Sequence, residues 1–314
     1  MDVKGYLVGG FPRPANLIKS FREHVKGKKT LYELEAEIQE TVREVVRLQK
    51  DNGLYYVFDG QLTWDDLFRP IAMCLTNVHI NGLARWFDNN FFYKKPVFNS
   101  PSPRLQSLFE EKYCFQNILA GFRFKAVFPE PYTMAAMSES GNTVELAYAL
   151  ADAMAELGKG IKGLSQMQLT APYLVFKKPS LDEIEVSKEC VRVIRNRVGC
   201  ELMLHFPFGP AVNILPHALD FKVDVLGFDM YKTRLTDLKS HGFDKVKIYL
   251  GLFDGRNTLV EKLNELKDLV NRAVEFFDAR EVHVGPSCEL SFLPYEHAVM
   301  KVERLGQLVK EMGG

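Results

Sequence analysis

The chain has 314 residues, 46% of them hydrophobic and 25% charged, enough to bury one barrel-sized core or two smaller ones. Forty basic residues balance forty acidic ones, which argues against a nucleic-acid or anionic-membrane surface as the main business of the protein. The five cysteines, at 74, 114, 190, 200 and 288, are scattered, odd in number and without a CxxC pair. That usage suits a reducing cytoplasm better than a disulfide framework. The opening Met1-Asp2-Val3-Lys4-Gly5 lacks the apolar stretch of a signal peptide, and no run reaches the ~18 apolar residues of a membrane span. A soluble cytoplasmic protein is the expectation.

In chain order, Tyr6-Leu7-Val8 reads as a strand that runs into Gly9-Gly10-Phe11-Pro12. A helix from about Leu31 follows, with Leu34, Ile38, Val42, Val45 and Leu48 on one face and Asn52-Gly53 as its stop. Tyr55 to Phe58 is the second strand and feeds Asp59-Gly60-Gln61. The stretch from about 64 to 103 does not alternate, and its aromatic Arg85 to Tyr93 predicts an inserted hairpin over the mouth of the fold. Apolar runs at 122–128, 163–169, 201–206, 223–228, 246–252 and 281–285 then alternate with helical patterns at 143–157, 181–195 and 259–277, the last with Thr258 as its N-cap. A closing helix runs from about Glu296 to Met312. Eight strands, each feeding a polar or glycine-containing tip, predict one domain over 1–314: a (β/α)8 TIM barrel with an insertion after the second strand.

Chemistry in such a barrel collects at the strand tips. Here the tips carry Gly9-Gly10, Asp59-Gly60-Gln61, Glu130, Gln168, Thr170, His205, Asp229, Asp254-Gly255-Arg256 and Cys288. His205, Asp229 and Cys288 end strands five, six and eight. Imidazole, carboxylate and thiolate are all zinc donors, and three of them with an open position would make a catalytic site. Each also has a plainer reading. A strand-end aspartate caps the next turn, a lone histidine is a satisfied core residue, and a tip cysteine is a small apolar residue.

These residues resemble a family, the cobalamin-independent methionine synthases, in particular their C-terminal catalytic barrel and its short archaeal-type relatives. The matches include Gly9-Gly10-Phe11-Pro12-Arg13, Val57-Phe58-Asp59-Gly60-Gln61, Lys125 through Phe128-Pro129 with Pro131-Tyr132-Thr133, and Gln168 with Pro172. They continue with Asp224-Val225, Gly251-Leu252-Phe253-Asp254, and Pro286-Ser287-Cys288 before Ala298 and Lys301. The resemblance implies zinc-dependent transfer of a methyl group from a folate or corrinoid donor to the thiol of homocysteine, the metal acidifying the thiol. It places zinc on His205, Asp229 and Cys288, the substrate against Gly9, Gly10, Asp59, Gln61 and Thr170, and catalysis at Asp254 and Arg256.

The departures from the family pattern are as specific. Pro207 stands where a second thiolate ligand is expected, Gln61 where a glutamate is, Thr170-Ala171 where an Asp-Glu pair is, and Arg256 where a histidine is. Two lost carboxylates and a gained arginine predict a more positive pocket, suited to a more anionic thiol. An accessory barrel that partners a complete synthase or a corrinoid protein is the alternative.

Overall fold

The computed structural model describes residues 2–109, 113–239, 241–243 and 246–313. Seven parallel strands form one curled sheet: β1 (Asp2–Gly5), β4 (Lys125–Pro129), β5 (Gln166–Thr170), β6 (Glu201–Phe206), β7 (Val225–Asp229), β8 (Lys247–Phe253) and β9 (Glu281–Pro286), in the spatial order β1-β9-β8-β7-β6-β5-β4. Apart from exposed Asp2, the partly exposed first residues of β6, β8 and β9, and partly exposed Ala126 of β4, they are buried on both faces, as helix-covered parallel strands must be. The gap between edge strands β1 and β4 is spanned by extended chain. Tyr55 N donates to Gly5 O (2.8 Å), Val57 N to Arg123 O (2.9 Å) and Lys125 N to Val57 O (3.0 Å).

Helices cover the outside of the sheet. Leu31–Asp51 starts on a capping box between Thr30 and Glu33, and Leu181–Arg195 on one between Ser180 and Glu183. The helix Ala15–Val25 was not expected from the sequence, because its short apolar face follows a proline-rich start. The helix predicted from Leu259 begins at Leu263, with Lys262 rather than Thr258 at its N-cap position. The reason is Glu261, whose carboxylate accepts from Asp254 N (2.8 Å), Tyr231 Oη (3.0 Å) and the buried Lys301 Nζ (2.7 Å). These bonds hold residues just before the helix out of helical form.

Two apolar clusters result. The large one lies between sheet and helices, and a small one inside the curl contains Tyr6, Val8, Tyr56, Met203, Val225 and Tyr249. Beside the small cluster runs a polar network. Glu201 accepts from Tyr56 Oη (2.9 Å), Gln166 Nε2 (2.8 Å) and Lys247 Nζ (2.7 Å), while Tyr6 Oη meets His283 Nδ1 (2.8 Å) and His283 Nε2 meets Glu281 (2.8 Å). Lys4 closes on Glu281 as well. A hydrogen bond from His283, with one from Lys4, holds the Glu281 carboxyl well below its usual range despite burial.

The expected insertion contains an antiparallel hairpin, β2 (Val78–Arg85) and β3 (Phe92–Phe98). Its tip lies across the C-terminal ends of the parallel strands. Phe87 packs edge-on to Phe176 (5.1 Å between ring centres) and also against Phe208 (5.8 Å), and Phe91 packs against Phe292 (5.5 Å). These aromatics are thus chiefly packing.

Candidate functional site

A cleft of about 580 Å³ opens at the mouth, beside the hairpin. Its walls bring together Gly9, Gly10, Gln61 and Thr170, four of the five expected substrate positions, with Glu289, Ser291 and the aromatic Phe91 and Tyr295. Val8, Phe11, Leu67 and Leu293 make its apolar surface. A concave, largely apolar site with a few converging polar groups is what a small ligand needs.

Local bonding sets each polar group. Gln61 has a left-handed backbone (φ 50°), stabilised because its N–H donates to Asp59 Oδ1 (3.0 Å), and its side chain donates to Val127 O (3.0 Å). Thr170 Oγ1 accepts from Gln168 Nε2 (2.9 Å), which also donates to Val8 O (2.6 Å). The threonine hydroxyl can therefore still donate its own proton to a ligand. Gly9 is required by close approach, since a Cβ there would sit 2.8 Å from Glu289 Cβ. Arg13, inside the matched Gly9–Arg13 motif, donates to Leu62 O (2.5 Å) and Trp64 O (3.1 Å) and pairs with Asp65 (3.2 Å). It ties the β1 loop to the segment after Gln61.

Asp59, the fifth expected substrate residue, is 5% exposed and does not line the cleft. It accepts from Gln61 N and from Phe115 N (3.4 Å). Burial pushes its carboxyl up to about 6 against those bonds. Its place is behind Gln61, as a positioning residue. Glu130, another tip residue, is likewise a cap: it accepts from Tyr132 N (2.9 Å), Thr133 N (2.7 Å) and Ser187 Oγ (2.8 Å).

Asp254 and Arg256 also lie outside the cleft lining. Asp254 Oδ1 accepts from Arg256 N (2.9 Å). The guanidinium stands among three carboxylates, Asp254 (3.7 Å), Asp229 (3.8 Å) and Asp88 of the hairpin tip (3.9 Å), and over the Phe208 ring (5.8 Å). Arg256 fastens the hairpin to the strand tips. This corrects the expectation of a more positive pocket, because the charged groups lining the cleft are Arg13 against Asp65, Asp66, Glu289 and Glu296.

The three expected zinc donors are not assembled. Among the described residues no group of three His, Cys, Asp or Glu side chains converges to hold a metal ion. His205 is wholly buried with its ring edge-on to Tyr249 (5.7 Å), and neither ring nitrogen has a hydrogen-bond partner of good geometry. Burial, then the charge of Lys125, pushes its pKa down to about 3, although the main chain of Ser287 is near enough to favour the charged ring slightly. Asp229 spends both oxygens on main-chain donors, Oδ1 on Tyr231 N (2.9 Å) and Oδ2 on Phe208 N (3.1 Å). It is raised to about 6 by burial. Cys288 is 1% exposed, packed where a Cβ on Gly255 would come within 2.6 Å of its sulfur. Burial, then the charges of Glu289 and Asp229, raises its thiol well above the usual range. With Pro207 supplying no further donor, these residues do not fit a tetrahedral zinc. Protein purified without chelator is accordingly expected to carry far less than one zinc per chain, by elemental analysis, and Cys288→Ala should leave that value unchanged. Stoichiometric zinc lost on that substitution would restore the metal assignment.

The sequence reading missed Glu289, although it stands beside Cys288 in the same tip. Nothing in a linear pattern says which of two neighbours faces a cleft. Glu289 Oε1 accepts from the hairpin's Trp86 Nε1 (3.1 Å). The residue keeps partial exposure, yet it is enclosed deeply enough that burial raises its carboxyl to about 7, against the pull of the Trp86 bond and Arg256.

Residues 62–277 match the family model described as "Cobalamin-independent synthase, N-terminal domain". The chain belongs to the cobalamin-independent methionine synthase family. The matching model is that of the N-terminal domain, whereas the motifs in the sequence were likened to the C-terminal catalytic barrel. The chain is 25% identical over 305 residues to a methionine synthase of Saccharolobus solfataricus, covering 94% of this chain and 90% of that one. It is 23% identical to the methionine synthase of Sulfolobus acidocaldarius, over 94% and 88% of the two chains. Among solved structures, a B12-independent methionine synthase from Shewanella sp. W3-18-1 in complex with selenomethionine superposes with a TM-score of 0.81 at 16% identity, over 98% of this chain and 97% of that one. A putative vitamin-B12-independent methionine synthase from Listeria monocytogenes gives a TM-score of 0.72 at 16% identity, covering both chains fully. At such identity the structures bear on the fold alone.

Proposed function

We propose that this chain is a methyltransferase of the methionine synthase type, whose mouth cleft binds the acceptor homocysteine and the product methionine. The observation that carries the reading is the gathering of Gly9, Gly10, Gln61 and Thr170 around one cleft. The relatives' names supply the reaction class, and the selenomethionine held by the Shewanella protein is an amino acid of the size this cleft accommodates. The apolar wall of Phe11, Leu67, Phe91 and Leu293 suits a thioether side chain. Thr170 and the amide oxygen of Gln61 supply the polar contacts. We read the fold as a (β/α)8 barrel whose second strand, Tyr55–Phe58, closes the gap between β1 and β4, and 1–314 as one domain whose insertion, near 64–103, partly covers the mouth.

In the reaction the acceptor's thiol proton is released, its sulfur forms the S–CH3 bond, and the donor–CH3 bond breaks with its electron pair staying on the donor. The released proton goes to the donor amine of a folate, or to solvent where the donor is a corrinoid. No step is routed through zinc, since no group of three donors converges among the described residues. The test is methionine formation from homocysteine with a methylated folate or a methylated corrinoid protein as donor, beside calorimetric binding of homocysteine and methionine. Turnover with either donor is the expected result. Absence of both turnover and binding would overturn the reading.

One finding favours a second reading, an accessory barrel. The family model that matches is the N-terminal-domain model. That reading expects binding of acceptor or donor without turnover, and turnover only when a complete synthase is added.

A further inference from the structure

The cleft contains a carboxylate that makes no ion pair among the described residues: the charge of Arg256 reaches it, but that guanidinium pairs with Asp88, Asp229 and Asp254. Of its charged lining, Arg13 is spent on two main-chain carbonyls and Asp65. Asp65 is also answered by Arg69 (2.6 Å), and Asp66 by Arg69 (3.0 Å) and by the N–H groups of Phe68 and Arg69. Glu296 is exposed, in the first turn of the closing helix Tyr295–Glu311. Glu289 differs from all of these. Among the described residues no cation stands within ion-pair distance of it, and its one side-chain hydrogen bond comes from Trp86.

We propose that Glu289 is the cation anchor of the cleft, so that the bound ligand presents a primary ammonium to it, with Trp86 orienting the carboxylate. This rests on the cleft's being the ligand site, and it adds the residue that selects the ligand's charge. A half-buried carboxylate lacking a partner is costly, and a ligand that brings the missing charge recovers that cost on binding. Trp86 Nε1 occupies Oε1 and fixes the plane of the group. Gly9 permits the carboxylate's backbone to stand against the β1 loop, and Ser291 Oγ beside Gly10 offers a further acceptor. An ammonium is compact and has three donors, which suits a carboxylate and a hydroxyl on one wall. A metal ion is disfavoured there, because no third ligand converges.

The experiment is calorimetry on the full chain with two matched pairs, methionine against 4-(methylthio)butanoate and pentylammonium against pentanol. Each is run on wild type, Glu289→Gln and Trp86→Phe, with thermal unfolding to confirm that the variants fold. The wild type should prefer each amine over its partner at least tenfold. Glu289→Gln should lose that preference while binding the amine-free partner unchanged, and Trp86→Phe should lose part of it. Pentylammonium binding that depends on Glu289, without binding of methionine or homocysteine, would keep the anchor and remove the amino-acid reading. Equal binding of amine and amine-free ligands, amine binding unaffected by Glu289→Gln, or no amine binding at all would overturn the anchor.

Discussion

Gly285→Ala should unfold the protein or cost it about 4 kcal/mol or more, measured by chemical denaturation. Gly285 lies in β9, paired with Gly251 of β8. A Cβ at 285 would fall within the van der Waals envelope of the Tyr6 carbonyl oxygen and the Tyr249 hydroxyl. One obstacle is backbone, so it cannot rotate away. The tyrosine is fixed because its hydroxyl donates to Pro286 O (2.9 Å) inside the curl. The strain therefore passes to the β1–β9 contact, where Tyr6 N donates to Val284 O (3.1 Å). A methyl at Gly53, by contrast, meets nothing within 4 Å, so there the positive φ alone is penalised. A Gly285→Ala protein within 1 kcal/mol of wild type would show that the strands part more readily than close packing allows.

Lys125→Met should change how stability depends on pH. Lys125 is 1% exposed, its Nζ donating to Gln168 Oε1 (2.6 Å) and lying over the Tyr6 ring (4.4 Å). Among the described residues no carboxylate pairs with it. Burial therefore pushes its pKa well below 10.5, with the more distant Glu201 opposing only weakly. Between that lowered value and 10.5 the unfolded chain holds a proton that the folded chain has released. Stability from this group accordingly rises with pH, by about 1.4 kcal/mol per unit where the difference is a full proton. Methionine removes the titration. The stability of Lys125→Met relative to wild type should then fall as pH climbs through the interval between the lowered value and 10.5, in urea melts at intervals up to about pH 10. Parallel curves for the two proteins would mean that the ammonium keeps solvent or a counter-charge.

The strand-and-helix alternation was legible because strands buried on both faces read as unbroken apolar runs between amphipathic helices. The helix at Leu31–Asp51 was legible down to its stop. Boundaries drifted where tertiary bonds outweighed local pattern. The first strand is Asp2–Gly5, four residues earlier than Tyr6-Leu7-Val8 suggested, because β1 pairs with Glu281 to Val284 before Tyr6 leaves the sheet. The tips were legible as a set, and Gly9, Gly10, Gln61 and Thr170 do share a cleft. Their roles were less so, since a carboxylate at a tip serves a ligand or its own turn according to where its two oxygens point. Asp59, Asp229 and Glu130 all satisfy nearby main-chain N–H groups, a competition that residue type alone does not decide. Glu289 depended on a tryptophan some two hundred positions away.

The bonds that Tyr55 and Val57 make to Gly5, Arg123 and Lys125 give the sheet a clasp rather than a rivet. Six strand-to-strand seams are full ladders, whereas this one is a few isolated links. The clasp leads directly into Asp59-Gly60-Gln61 and hence one wall of the cleft, while Glu289 and Gly9 stand on the ladder side. Further along, the β1 loop takes over the tie, with Phe11 N donating to Gly60 O (2.8 Å) and Arg13 to Leu62 O and Trp64 O. On this side the cleft is therefore held by loop bonds rather than by strand pairing, so changes of sequence at 55–61 reach it through the β1 loop.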